Sequence, residues 1–199
     1  MVSLIPMRRA IALLAALALV AVLVIGLTQA GDDSPPEQAA PAFDLAQAKQ
    51  QLAGSPAPLA ALYEQSNTIL DGGVSAFQSR IDGLAGHPAV VNKWASWCGP
   101  CRSEFPIFQE VATKRGKEIA FLGVNAGDKR PAAERFLAAR PLPYPSYEDP
   151  DEDIAGELKV PKLFPMTVFI DGRGKTAFIK SGEYRSTADL EADIDRYLG

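Results

Sequence analysis

An α/β domain with a central mixed sheet and helices on both faces, preceded by a membrane-spanning helix, is the architecture this sequence predicts. Three observations predict it. From residue 89 onward, apolar β-rich runs alternate with helical stretches in the order strand, helix, strand, helix, hairpin, helix. Near the N-terminus an uncharged run, Ala10 to Leu27, follows Arg8 and Arg9. The 199 residues are 47% hydrophobic and 22% charged, an ordinary globular composition that excludes collagen-like or wholly disordered organisation.

The apolar run spans roughly 27 Å as a helix, close to a bilayer core of ~30 Å. Basic residues before it and Asp32, Asp33 and Glu37 after it place the N-terminus in the cytoplasm and the remainder outside. Residues 1–30 therefore read as a cytoplasmic tip and signal-anchor in the cell membrane. The alternative is a signal peptide cleaved near Ala30, with a secreted product. Residues 31–42 are Pro-rich and without periodicity, and read as a linker.

Residues 43–73 read as a helical extension. Phe43 to Ala53 has helical composition and stops at Gly54-Ser55-Pro56, and Leu59 to Asn67 predicts a second short helix. Val74 to Leu84 is amphipathic through Val74, Phe77, Ile81 and Leu84. Ala89 to Trp94 is a short apolar run, hence a buried strand, and Cys101 to Thr113 carries Phe105, Phe108, Val111 and Ala112 on one helical side. Ile119 to Asn125 predicts a second buried strand, and Pro131 to Ala139 a helix with proline in its first turn. Met166 to Ile170 and Lys175 to Ile179 flank Asp171-Gly172-Arg173-Gly174, a hairpin signal. Ser186 with Asp189 resembles a capping box and opens a last helix through Leu190, Ile194 and Leu198.

Composition also narrows the chemistry. A net charge of −4 removes the electrostatic basis for binding nucleic acid. Two cysteines cannot staple a chain of this length, and with the one histidine they supply three zinc ligands only if every one is used. The two cysteines stand instead in Trp97-Cys98-Gly99-Pro100-Cys101, where a strand hands over to a helix. Two thiols at that spacing can close a small disulfide ring without refolding. Cys98, at the helix N-terminus, has free N–H groups and the positive dipole end to stabilise a thiolate, so it reads as the nucleophile. Cys101, one turn inside, reads as the resolving thiol. Pro100 removes a backbone donor where none is needed. A structural disulfide would close almost no loop, and haem attachment would need a histidine where Arg102 stands. His87, beside Pro88, reads as a loop residue. The run Glu148 to Asp153 lacks the glycine and glutamate of a calcium loop, and reads as a solvated face.

The stretch Val90-Val91-Asn92-Lys93-Trp94-Ala95-Ser96-Trp97-Cys98-Gly99-Pro100-Cys101 resembles the active-site strand and turn of the thioredoxin superfamily. Arg102-Ser103-Glu104-Phe105-Pro106 is similar to its membrane-anchored TlpA/ResA-like branch. Phe164-Pro165-Met166-Thr167-Val168-Phe169-Ile170-Asp171 resembles the family's cis-proline segment. The resemblance implies a thioredoxin-like three-layer sandwich over residues 74–199. It implies a cis Pro165 that faces the disulfide and presents the backbone of Phe164 to a substrate, with Trp97, Gly99 and Pro100 also contacting it. Cytosolic thioredoxins carry a buried aspartate where this chain has Asn92, which cannot move a proton. The TlpA/ResA-like branch carries instead a glutamate that matches Glu104, which implies a proton role for it. An exposed first-turn acid favoured by the helix dipole is the alternative. Lys93 stands where the family usually has an apolar residue, and reads as a snorkelling surface lysine, with thiolate tuning as the other possibility.

The function implied is an extracytoplasmic protein-disulfide reductase that needs no cofactor and no metal. Its implied partners are secreted proteins with disulfides or thiols, apocytochromes c among them, and a membrane electron donor. A disulfide-forming oxidase of the same fold is the alternative, because potentials of such proteins run from about −270 to about −120 mV. A non-catalytic binding module and a peroxidase are further classes. Retention of both cysteines argues against the first, and the dithiol motif against the second.

Overall fold

The computed structural model describes residues 42–199. Among them no helix is long and apolar enough to cross a membrane. The run Ala10 to Leu27, and the linker as far as residue 41, lie outside the described residues.

Asp44 opens the first helix, α1 (Leu45–Leu52), its Oδ1 accepting from the N–H groups of Ala46 and Gln47 at 2.9 and 3.0 Å. Helix α2 (Ala57–Tyr63) starts with Pro58 in its first turn and buries Leu59, Leu62 and Tyr63. The two-residue strand β1 (Ile69–Leu70) leads to α3 (Gly73–Asp82), which buries Phe77 and Ile81. Strand β2 (Ala89–Trp94) is buried at all six positions, as only a central strand covered on both faces can be. It feeds α4 (Gly99–Arg115). Strand β3 (Ala120–Ala126), α5 (Arg130–Ala139), β4 (Ser146–Asp149) and the short α6 (Asp153–Glu157) follow. The antiparallel pair β5 (Met166–Ile170) and β6 (Thr176–Ser181) precedes α7 (Thr187–Leu198), capped by the Ser186 hydroxyl on Asp189 N.

These strands form one six-stranded mixed sheet in the order β1-β4-β3-β2-β5-β6. β1, β4, β3 and β2 run parallel, β5 runs antiparallel to β2, and β6 runs antiparallel to β5, in the direction of the first four. Helix α4 packs against α7 and α1, and α3 against α6 and β4. Leu52, Leu59, Leu62 and Tyr63 belong to the same core cluster as the sheet. Pro106, inside α4, has no N–H for the Arg102 carbonyl four residues back, and Arg140 Nη1 donates to that carbonyl instead, at 3.2 Å.

The run Glu148 to Asp153 departs from the solvated face expected of it. Asp149 is buried and accepts from the N–H groups of Ile154 and Ala155, both at 3.0 Å, which caps α6. Glu148 pairs with Arg130 at 2.7 Å, and Glu152 pairs with Lys93. Glu148, Asp149 and Glu152 turn to these three sets of donors, while Asp151 and Asp153 stay exposed as expected. Lys93 is likewise no surface lysine. Its side chain is 2% exposed, and its ammonium donates to Glu152 Oε2 at 2.7 Å and to the carbonyls of Pro161 and Leu163 at 3.2 and 3.3 Å. Three acceptors satisfy its three protons, so the charge needs no route to solvent.

Candidate active site

The end of β2 delivers Cys98 to the N-cap of α4, where it has extended backbone and its sulfur accepts from Cys101 N at 3.1 Å. Cys98 and Cys101 are disulfide-bonded, with Cα atoms 5.3 Å apart. Cys101 is wholly buried and Cys98 keeps a small exposed surface. Gly99 and Pro100 form the turn between them and are exposed. A Cβ at Gly99 would meet nothing within 4 Å, so the turn faces open space there.

The loop before Cys98 is fixed by a residue that the sequence reading did not single out. Asp128, in the turn after β3, accepts from Ser96 N at 2.6 Å, from the Ser96 hydroxyl at 3.0 Å, from Asn125 Nδ2 at 3.0 Å and from Lys129 N at 2.7 Å. Burial pushes its carboxyl upward, but these hydrogen bonds outweigh that and hold it below its ordinary value. The visible signal was Asn125-Ala126-Gly127-Asp128, an Asn/Gly/Asp turn directly after a buried strand.

Trp97 is 60% exposed, donates its indole N–H to the Gly127 carbonyl at 3.0 Å, and meets the Phe164 ring edge-on with centroids 5.0 Å apart. The cysteine loop and the segment before β5 therefore touch. The Phe164–Pro165 peptide bond is cis. Lys93 pairs with Met166 in the antiparallel register, which puts Pro165 at the end of the sheet where β2 turns toward Cys98.

Glu104 lies one turn beyond Cys101 on α4 and is completely buried. Its Oε1 accepts from Asn92 Nδ2 at 2.8 Å and its Oε2 from Tyr184 N at 3.1 Å. Burial raises its pKa to about 7, against the lowering effect of those two bonds and of the Lys180 charge. Asn92 Oδ1 accepts no hydrogen bond from the protein. A primary amide can meet either form of the acid, donating through nitrogen to the carboxylate or accepting through oxygen from the protonated group. The exposed first-turn acid weighed for this position is not what the structure holds. Among the described residues no group of three or more His, Cys, Asp or Glu side chains is placed to hold a metal ion. His87 stands in the turn before β2, its ring 3.4 Å from the Glu118 carbonyl.

Residues 37–196 match the family described as Redoxin. The chain belongs to the Redoxin family. Within it, the chain is similar to the thiol:disulfide interchange protein DsbE of Pseudomonas fluorescens biotype C, 38% identical over 92 residues, 46% of this chain and 49% of that protein. It is also similar to the thiol-disulfide oxidoreductase ResA of Geobacillus kaustophilus, 30% identical over 124 residues, 61% and 67% of the two chains. The match thus spans about half of the first relative and two thirds of the second. Among solved structures, a thiol:disulfide interchange protein of the thioredoxin family from Chlorobium tepidum TLS superposes with a TM-score of 0.53 at 27% identity, covering 59% of this chain and 84% of that one. This Redoxin-family chain has the thioredoxin-like α/β fold with a mixed sheet.

Proposed function

We propose that the protein is a thiol–disulfide oxidoreductase that reduces protein disulfides on the extracytoplasmic side of a membrane. The observation that carries this reading is the Cys98–Cys101 pair in the first turn of α4, at the end of a buried strand, with Trp97 and Phe164 packed together beside it. In the reduced protein the Cys98 thiolate, stabilised by the N–H groups that open α4, attacks one sulfur of a substrate disulfide. A Cys98–substrate disulfide forms, and the other substrate sulfur leaves as a thiolate. Cys101 then loses its proton and attacks Cys98 Sγ. The Cys98–Cys101 bond closes, the second substrate thiolate departs, and two electrons have passed to the substrate. A membrane-held dithiol donor restores the reduced form.

Glu104 serves this cycle as the base that takes the Cys101 proton. A carboxyl whose pKa is about 7 is half ionised near neutrality, so it can accept and return a proton there. Pro165 offers no N–H beside the site, and the backbone of Phe164 lends an edge to an extended substrate segment. The Ala10 to Leu27 run anchors the domain in the cell membrane, with cleavage near Ala30 as the alternative. Substrates are secreted proteins with disulfides, apocytochromes c among them.

The test is a pair of single substitutions in an insulin-reduction assay with mixed-disulfide trapping. Cys98→Ser should abolish exchange and trap nothing, whereas Cys101→Ser should accumulate mixed disulfides that it cannot resolve. A wild-type protein without turnover, and a Cys101→Ser variant without trapped species, would make the domain a binding module. A redox titration in glutathione buffers fixes direction, and a potential above about −150 mV would make it a disulfide-forming oxidase.

A further inference from the structure

Successive residues of β2 point to opposite faces of the sheet, and the two polar ones serve different ends. Asn92 meets Glu104 beneath the cysteines, whereas Lys93 reaches the other way, to Glu152 and the segment before β5. That segment, residues 161–164, belongs to no helix or strand, and Pro161, Lys162 and Leu163 are all exposed, Leu163 at 57%. Its carbonyls at Pro161 and Leu163 accept from the Lys93 ammonium, which also lies 4.1 Å from the centroid of the Phe164 ring. Phe164 in turn packs on Trp97, the neighbour of Cys98. The chain of contact from Glu152 to the cysteine loop is unbroken.

An ion pair buried this deeply is a poor way to gain stability, because desolvating both charges offsets their attraction. A methionine or leucine at position 93 would fill the space and cover the Phe164 ring. It would bind neither carbonyl. We propose that the Lys93–Glu152 pair is a positioning device, which clamps residues 161–164 against β2 and holds Leu163 and Phe164 as a ledge on which the chain of a protein substrate docks beside Cys98. Glu152 fixes the ammonium, and the ammonium fixes the ledge. Neither residue acts on sulfur, so the clamp governs docking and leaves exchange itself untouched. The proposal rests on the thiol-exchange reading above.

The experiment compares two disulfides reduced by the full-length protein with dithiothreitol as donor: insulin, which must dock a chain, and hydroxyethyl disulfide, which has none. Lys93→Met alone leaves a stranded carboxylate at Glu152 and can fail to fold. The double substitution Lys93→Met with Glu152→Met removes both charges and keeps the volume. In the folded double variant KM for insulin should rise on the order of tenfold, with kcat for insulin and the rate on hydroxyethyl disulfide held within about twofold of wild type. Unchanged KM for insulin overturns the clamp. Equal slowing on both substrates also overturns it, because a general disturbance of the fold or of the sulfurs then explains the loss. A wild-type protein inactive on hydroxyethyl disulfide would remove the exchange reading and the clamp together.

Discussion

Both oxygens of Glu104 are already engaged, by Asn92 and by Tyr184 N, yet burial still raises its pKa from 4.5 to about 7. Between those two values the folded protein holds a proton that the unfolded chain has released. Stability should therefore fall as pH rises through that window, by about 3 kcal/mol in all, and stay down above it. Glutamine cannot ionise, so the stability of Glu104→Gln relative to wild type should improve steadily from pH 5 to pH 8 in urea denaturation. A gap that does not change with pH would mean Glu104 does not titrate in that range. The same substitution should slow the resolving step in single-turnover reduction about 10²–10⁴-fold if its base role is lost. The family resemblance brought Glu104 forward, and its spacing from Cys101 fixes its helical face. Lys93 was unreadable for the opposite reason. Its three acceptors come from 59, 68 and 70 residues further along the chain, and no local pattern announces them.

Among the elements, strands β2 and β5 stand where their apolar runs placed them, since a strand buried on both faces must be apolar almost throughout. The long helix begins at Gly99, two residues earlier than Cys101, because Cys98 caps it through its own sulfur. Three elements left no such mark. β1 has two residues, α6 has five, and β4 mixes Ser146 and Glu148 with Tyr147 behind Pro145, too short and too polar to show a period. The turn between β2 and α4 depends on Asp128, whose own turn is marked in the sequence but whose partner Ser96, 32 residues earlier, is not. Asp128→Ala removes the acceptor for Ser96 N and three other donors, and should destabilise the protein by about 1–3 kcal/mol in denaturant titration. Because this carboxyl is held below its ordinary value, its contribution is present at neutral pH and lost only as pH falls through the depressed value. A variant as stable as wild type at pH 7 would show that the loop is held by other contacts.

For the molecule as a whole, the segment before residue 74 has a larger share in the structure than its sequence shows. β1 supplies one edge of the sheet by pairing with β4. The Tyr63 hydroxyl donates to the Ile119 carbonyl at 2.8 Å, tying α2 to the approach to β3. Gly116, which ends α4, has to be glycine for these helices to close in: a Cβ there would lie 2.6 Å from Leu52 Cδ2 and 2.9 Å from the Tyr63 hydroxyl. Sequence periodicity reports which face of a helix is apolar, but not which partner that face will meet. A separate helical extension was therefore the natural reading of 43–73. What the sequence did carry at this scale was the alternation of strands and helices after residue 89, which is enough to specify a mixed sheet.

The strand that ends at the cysteines has neighbours on both edges, β3 and β5, and is covered on both faces. Its amides can exchange with deuterated solvent only when much of the domain opens at once, whereas exposed Lys162 and Leu163 and the partly exposed edge strand β6 can exchange through small local openings. Native-state exchange should accordingly label Lys162, Leu163 and β6 first and β2 last, in the oxidised and the reduced protein alike, and a β2 that labels with the edge would contradict this. The sulfurs thus ride on the slowest-opening part of the chain, and the segment beside them meets solvent at its amides while Lys93 holds its carbonyls. The atoms that react are kept still whatever opens at the edge of the sheet.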